Sequence, residues 1–522
     1  MLLAALAAPG SALAQSHEPQ SSTTCDIRAS GAVNDGTTDN TAAIQAAIES
    51  CAGQGGGTVL VDGGGTYITG PLHLESHVFL KIVAPTVLKN TVDHALYQPA
   101  FIGYPFEFSN NPSVTGVGPS LPGHPEAMIS GNGLTDTGII GDGTIDGSGA
   151  DAPPSSVDNG QSWLAMAKAA KSLTDYSRAS FQGNAVLGAT SYASQNYPDI
   201  PTTNGLPRPW LVEFYNCKNV SIGSVLLTNS PMWDLVLRYD TNVEAKGLRV
   251  LNDPTAPNTD GIDPVGSQKL HFSNLAISTG DDDIAIKSGL PGIPSGAYYQ
   301  PPYNLPRLPT SDLIVENSTF GRGGGLAIGS ETVNGIQHIR ARNIQFLGTG
   351  DGIHLKTGRD RGNQIFDIVI SDLQMTDVGT PLLLSEYYPT IPGPTQGDIA
   401  QPEPASTRPY VHDITISNVQ ANNPGTVLNQ ITGPSQIIGI PESPIYNLTL
   451  ENIALNSSAP NYIRLRNVNG LTCRDVGVAP VSVTTPSQGH VFDNEGGLQD
   501  IKGCDVSPTV IAPEGNAGTP GG

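Results

Sequence analysis

Positive charge is scarce in this 522-residue chain. Its 25 Lys and Arg stand against 47 Asp and Glu, a formal net charge of −22, and charged residues of either sign make up only 14%. A surface this acidic repels nucleic acid and anionic membranes, so neither is expected as a partner, and a polyanionic substrate would need a local basic island. Past the N-terminal segment, no apolar run is long enough to cross a bilayer. Cysteine is scarce too. The five are Cys25, Cys51, Cys217, Cys473 and Cys504, with no Cys-x-x-Cys pair, which argues against zinc. Cys25 with Cys51, and Cys473 with Cys504, would each close a local loop at one end of the fold and leave Cys217 as a buried thiol. Spacing alone does not fix that pairing.

What is abundant is turn chemistry: 61 Gly and 43 Pro. The opening "MLLAALAAPGSALAQS" is apolar and ends in small residues, which suits a secretory signal over residues 1–14, cleaved after Ala14. It lacks a basic n-region, so a truncated signal is expected; a disordered N-terminus is the alternative. A flexible stretch over 15–24 would follow. Export implies an oxidising compartment, with the protein secreted or periplasmic. The tail at 506–522 has too little apolar content to pack and is expected to be disordered.

Between these ends, at 25–505, one apolar pattern recurs at positions 1, 3, 6 and 8. It reads Val220/Ile222/Val225/Leu227, then Val243/Ala245/Leu248/Val250, Leu270/Phe272/Leu275/Ile277 and, more weakly, Leu313/Val315/Ser318/Phe320. Five further copies start at Ile339, Ile368, Ile414, Leu448 and Leu471. Each unit is two short alternating runs meeting at a bend, often with Asn at the fourth or fifth place, as in "VENSTF" and "RARNIQF". Alternation means strands with one buried face. A repeat in the twenties leaves no room for a crossover helix, so the expected fold is all-β: a single right-handed parallel β-helix whose coils stack and share one core. Irregular steps mark projecting loops at 150–205 (with a helix-like "SWLAMAKAAKSL"), 288–311 and 387–411.

Stacked coils bring equivalent residues to roughly 4.8 Å. Asp260 in "NTDGID" and Asp281 in "STGDDDIAIKSG" are 21 residues apart and should lie side by side, with Asp282 next to them. A single Asp-Gly is ordinarily a solvated turn. Two acidic clusters one coil apart are different: crowded carboxylates repel, at least one pKa should rise, and an acid is then held protonated beside a base. Two acids across a sugar linkage suffice for glycoside hydrolysis.

At these residues the chain closely resembles the polygalacturonase-type pectinases, glycoside hydrolase family 28. The likeness runs from "GAVNDGTTDNTAAIQAAIESC" through "GTIDGSG", "RPWLVEFYNCKNV", "NSPMW", "NTDGIDPVGSQ", "GDDDIAIKSG" and "LAIGSE" to "KTGRDRG", within about residues 25–480 and in the family's order. The resemblance implies an inverting hydrolase acting on α-linked galacturonic acid in a pectic polysaccharide, with no cofactor. It makes Asp281 the general acid and gives activation of the attacking water to Asp260 and Asp282. Asn258 would orient the carboxylates, and Lys356 would hold a uronate carboxylate. Tyr388 aligns with a substrate-contacting tyrosine, with Tyr387 a close competitor. Simple alternation would instead pair Asp281 with Asp283, so Gly280 must bend the backbone.

Two positions depart from the family. Its Gly-His-Gly is Gly323-Gly324-Gly325 here, and its Arg-x-Lys is His354-Leu355-Lys356. Loss of an imidazole would open space, and imidazole in place of guanidinium weakens a bidentate carboxylate grip. His354 can substitute in part for either group. Arg322, Arg359 and Arg361, and less directly Lys287, would restore positive charge unless they are solvated surface charges. Three functions compete: a galacturonide hydrolase, the same chemistry on another pectic glycan such as rhamnogalacturonan, and a non-hydrolytic glycan binder or calcium-dependent lyase. No regular calcium-loop spacing supports the last. Loop length does not separate exo from endo action, and a monomer is expected.

Overall fold

The computed structural model describes residues 21–93, 96–97, 126–149, 162–163, 208–289, 299, 304–359, 361–401, 408–423, 433–484 and 487–509. The expected signal at 1–14, most of the 150–205 excursion and most of the tail lie outside these residues.

The repeat becomes one column of the core. Val220, Val243, Leu270, Leu313, Ile339, Ile368, Ile414, Leu448 and Leu471 are register partners on nine successive coils. All are buried, and the weak copy at Leu313 keeps register with the rest. The strands form two parallel sheets, one of 21 strands and one of 12, wound as a parallel β-helix. The expected fold class holds.

The bend inside each unit has a residue-level cause. Asn317, Asn343, Asp372, Asn418 and Asn452 all have φ between 53° and 59°. Short polar side chains tolerate this left-handed backbone because they hydrogen-bond locally. Here they also bond between coils: Asn343 Nδ2 donates to Asn317 Oδ1 at 2.7 Å, and Asn452 Nδ2 to Asn418 Oδ1 at 3.0 Å. The same asparagines therefore turn the chain and tie neighbouring coils together.

The helix Thr41–Gly53 buries Ile44, Ala47, Ile48 and Cys51. That i, i+3, i+4, i+7 spacing is one helical face, and it joins the main core at the first coils, where an uncovered sheet edge would invite pairing with another chain. Cys25 is bonded to Cys51 and Cys473 to Cys504, while Cys217 is free and buried. The Cys473–Cys504 bridge spans 31 residues. Chain-entropy arguments give such a loop about 3.7 kcal/mol. Cys473→Ser should lower the denaturation midpoint accordingly in non-reducing buffer, and reductant should erase its difference from wild type. Among the described residues, no helix is long and apolar enough to cross a membrane.

Candidate active site

The three acids read from the sequence converge. One carboxylate oxygen from each of Asp260, Asp281 and Asp282 lies within 4.8 Å of the others. They stand in the turns that lead into the smaller sheet: Asp260 before the strand Ile262–Val265, and Asp281 and Asp282 before Ile284–Ile286. The register corrects the spacing argument. Ile262 pairs with Ile284, a step of 22, so Asp260 faces Asp282 and not Asp281.

Asp281 joins the group because the chain bends at Gly280, which is pressed so closely on the preceding turn that a Cβ would lie 2.1 Å from the Ala256 carbonyl oxygen. Alternation fails there, as the resemblance required. Asp283 turns away and accepts a hydrogen bond from Gly325 N–H at 3.0 Å.

Each acid has its own surroundings. Asp282 Oδ2 is ion-paired with Lys356 Nζ at 2.6 Å. Asp260 Oδ2 lies 3.3 Å from Lys287 Nζ, which also contacts Asp263 at 2.7 Å and sits 3.5 Å above the Trp233 ring. Asp281 accepts the Asn258 backbone N–H at 3.2 Å. Burial raises the pKa of Asp281, and repulsion from Asp282 adds to the shift. Burial raises Asp260 well above the usual range against the pull of Lys287. Burial opposes the charge on Lys356, but Asp282 and Asp281 outweigh it and raise its pKa. The arrangement can hold a proton within the trio, while Lys287 and Lys356 place ammonium groups beside Asp260 and Asp282.

The remaining expected residues fall into place with corrections. Asn258 approaches Asp281 through its backbone, with φ at 59°, while its side-chain Oδ1 accepts from Arg208 at 3.0 Å. Tyr388 and Tyr387 have different surroundings. Its ring centroid is 6.0 Å from Lys356 Nζ, whereas the Tyr387 hydroxyl is bonded to Asp398. His354 and Arg322 line a cleft of about 630 Å³ together with Asp281, Asp282 and Lys356. His354 Nδ1 is 3.0 Å from Asp351. Arg359 is bound to Glu442 and Asp398, and Arg361 is buried against Ser330, so neither is a solvated surface charge. Lys287, expected at most as an auxiliary charge, is buried at the centre of the acids. Sequence reasoning also missed Arg208, Asp263 and Glu331; the segments "RPWL", "DGID" and "IGSE" contain them, but nothing in those segments assigns them a place.

Gly323 and Gly324, where the family's histidine would stand, line the cleft, but Asp282 crowds the direction a side chain would leave from. Gly324 stands one coil above Asp282, and a Cβ there would lie 2.3 Å from Asp282 Oδ1 and 3.1 Å from its Cα. Part of the space beside Gly324 is taken by the carboxylate that Lys356 holds. Gly324→Ala should therefore lower kcat, by about tenfold as Asp282 is displaced, with the folded fraction by circular dichroism unchanged. A variant as active as wild type would show that Asp282 can move freely.

The family model for glycosyl hydrolases family 28 matches residues 182–474. A probable polygalacturonase from Vitis vinifera is 28% identical over 472 residues, covering 88% of this chain and 80% of that protein. An endo-polygalacturonase from Pectobacterium carotovorum subsp. carotovorum is 27% identical over 443 residues, covering 85% and 89%. Among solved structures, a family 28 exopolygalacturonase from Yersinia enterocolitica superposes with a TM-score of 0.65 at 21% identity, over 93% of this chain and 78% of that one. A Thermotoga maritima exopolygalacturonase gives 0.58 at 22%, over 89% and 90%; at these identities the structures bear on the fold alone. The family match spans more than half of the chain and includes all three acids, and the chain belongs to glycosyl hydrolases family 28.

Proposed function

We propose that this glycoside hydrolase cuts the α-linked galacturonic acid backbone of pectin with inversion, as a secreted or periplasmic single-domain enzyme. The observation that carries the reading is the convergence of Asp260, Asp281 and Asp282 within 4.8 Å. The relatives named as polygalacturonases support the substrate. Asp281, the acid by resemblance to the family, protonates the departing glycosidic oxygen; burial raises its pKa, as it does that of Asp260. Asp260 and Asp282 hold the attacking water. Lys356 and the cleft-lining Arg322 receive the uronate carboxylate, His354 adds charge when protonated, and Tyr388 flanks the sugar.

Inverting pairs are commonly about 6.5–9.5 Å apart, wider than this trio. A third carboxylate removes the need for that gap. Two hydrogen bonds of about 2.8 Å bracket oxygens up to about 5.6 Å apart, so one water fits between Asp260 and Asp282 while Asp281 acts on the leaving oxygen. Two of the three carboxylates already contact ammonium groups, which leaves little charge to attract a cation.

The test is release of reducing ends from polygalacturonate and rhamnogalacturonan, with a chelator present. Turnover of polygalacturonate that survives the chelator and yields no ultraviolet-absorbing unsaturated product supports the proposal. Turnover of rhamnogalacturonan alone would support the second reading, which His354 motivates by putting an imidazole paired with Asp351 where the family has a guanidinium.

A further inference from the structure

We infer that this chain works from polymer ends, releasing one or two sugars at a time, because the floor of its cleft is closed on both sides of the acids. The inference rests on the hydrolase reading above and concerns where along the polymer that chemistry occurs.

The floor is the outer face of the smaller sheet, and strand alternation identifies the residues on it. In Leu235–Arg238 and Ile262–Val265, Leu235, Leu237 and Ile262 belong to the main core, while Val236 and Val265 belong to a separate apolar cluster with Trp210, Met232 and Trp233. Val236 and Val265 are therefore on the outside of the sheet, yet both are fully buried. The Trp210 and Trp233 rings stack at 5.0 Å, and Arg238 lies 5.3 Å from Trp210, bonded to Glu213. On the strands of Asp260's coil and of the coil before it, the outer face of the sheet is filled by the protein itself, and the described lining of the cleft on that side ends at Pro254 and Thr255.

The other side is closed by different means. In Ile463–Arg466, Ile463 and Leu465 point into the core, and the outward Arg464 and Arg466 are buried. What they hold is the chain that follows Tyr388. Arg464 Nη2 donates to the Pro392 carbonyl at 2.6 Å. Arg466 donates to the carbonyls of Gln396 and Gly393 at 3.0 Å each, and to that of Pro394 at 3.3 Å. Glu495 fixes both guanidiniums, at 2.6 and 2.7 Å. Arg359 secures the far end of the same segment through Asp398 at 2.7 Å. Three arginines together make this segment a wall.

Between the two closures, the outward residues of the sheet with any exposure, among the described residues, are His354 and Lys356, then Leu383, then Gln436, on three adjacent strands. At about 4.8 Å per strand this floor is about 10–15 Å long, room for about two or three sugar rings. The acids stand at its N-terminal limit, where Lys356 reaches back to Asp282. A site this short with its chemistry at one end engages a chain end; a polymer threaded through would collide with Trp233 or with the 392–396 segment.

The test uses the unmodified protein on polygalacturonate. Expected are monomer or dimer from the earliest time points, viscosity that falls only in proportion to bonds cut, and kcat/KM that changes less than about twofold from trimer to hexamer, since the described floor is too short to hold further rings. Mixed oligomers at the start, an early collapse of viscosity, or kcat/KM still climbing about tenfold beyond the trimer would overturn the proposal. These outcomes all require cleavage. If no new reducing ends form on either polymer, the hydrolase reading itself fails and takes this inference with it.

Discussion

Asp281→Asn should lower kcat on polygalacturonate by about 10³-fold and leave KM nearly unchanged, because general-acid catalysis of this kind contributes roughly 10²–10⁴. The amide keeps the shape and still accepts the Asn258 N–H, but it has no proton to give to a poor leaving group. An aryl galacturonide with an acidic phenol needs no such proton, so its cleavage should fall far less in the same variant. That contrast separates the acid from the residues that hold water: Asp260→Asn and Asp282→Asn should slow both substrates alike. If Asp281→Asn slows the aryl substrate as much as the polymer, Asp281 is not the proton donor.

Lys287→Met should have the second large effect, on stability and on the pH profile together. Lys287 is the ammonium between Asp260 and Asp263, with Glu331 at 3.8 Å, and all four side chains are buried. Removing one partner of a buried ionic group costs about 3–5 kcal/mol, since the charges left behind lose their compensation. The sign with pH follows from the shifts. Burial raises Asp263 to about 7 and Asp260 well above its usual value, both despite the lowering effect of Lys287. Without the ammonium both rise further.

A raised carboxyl pKa favours the folded state while the group is protonated, and that advantage is lost as pH climbs from the unfolded value of 3.8 through the folded one. The destabilisation should therefore be smallest near pH 4 and grow towards neutrality. The acidic limb of kcat/KM should move up by at least about one unit, because Asp260 must ionise to hold the water. Equilibrium denaturation at both ends of that range, with the rate profile, checks it. A loss of stability independent of pH would mean that Lys287 only fills space.

The contrast between Lys287 and the core column shows what could be read in advance. Val220 to Leu471 recur at strand period, and burial of one face is a local property, so counting residues gave the correct coils and even the asparagine bends. The alternation of "IAIKSG" puts Lys287 on the outer face with Ile284 and Ile286 inside, but nothing local says that Trp233 and three carboxylates cover it there. The acids themselves were legible, whereas their register was not. Steps between coils vary with the turns, and the bend at Gly280 both offsets Asp281 and carries it into the cluster. Gly324 was legible as a departure from the family, but its closeness to Asp282 was not. Whether a missing side chain leaves a hole depends on what stands one coil below, and Asp282 stands there. Arg208 approaches Asn258 from 50 residues away, a distance over which no periodicity operates.

The attacking water between Asp260 and Asp282 is the centre of the mechanism, and proton NMR of the first sugar released tests it most directly. Opposite-face attack by water on an α-linkage predicts the β-anomer first, with the α-anomer appearing only at the rate of mutarotation. Initial release of the α-anomer would mean that a carboxylate attacked the sugar carbon itself, as the close spacing of the trio would also permit. That outcome would contradict the water-holding roles of Asp260 and Asp282.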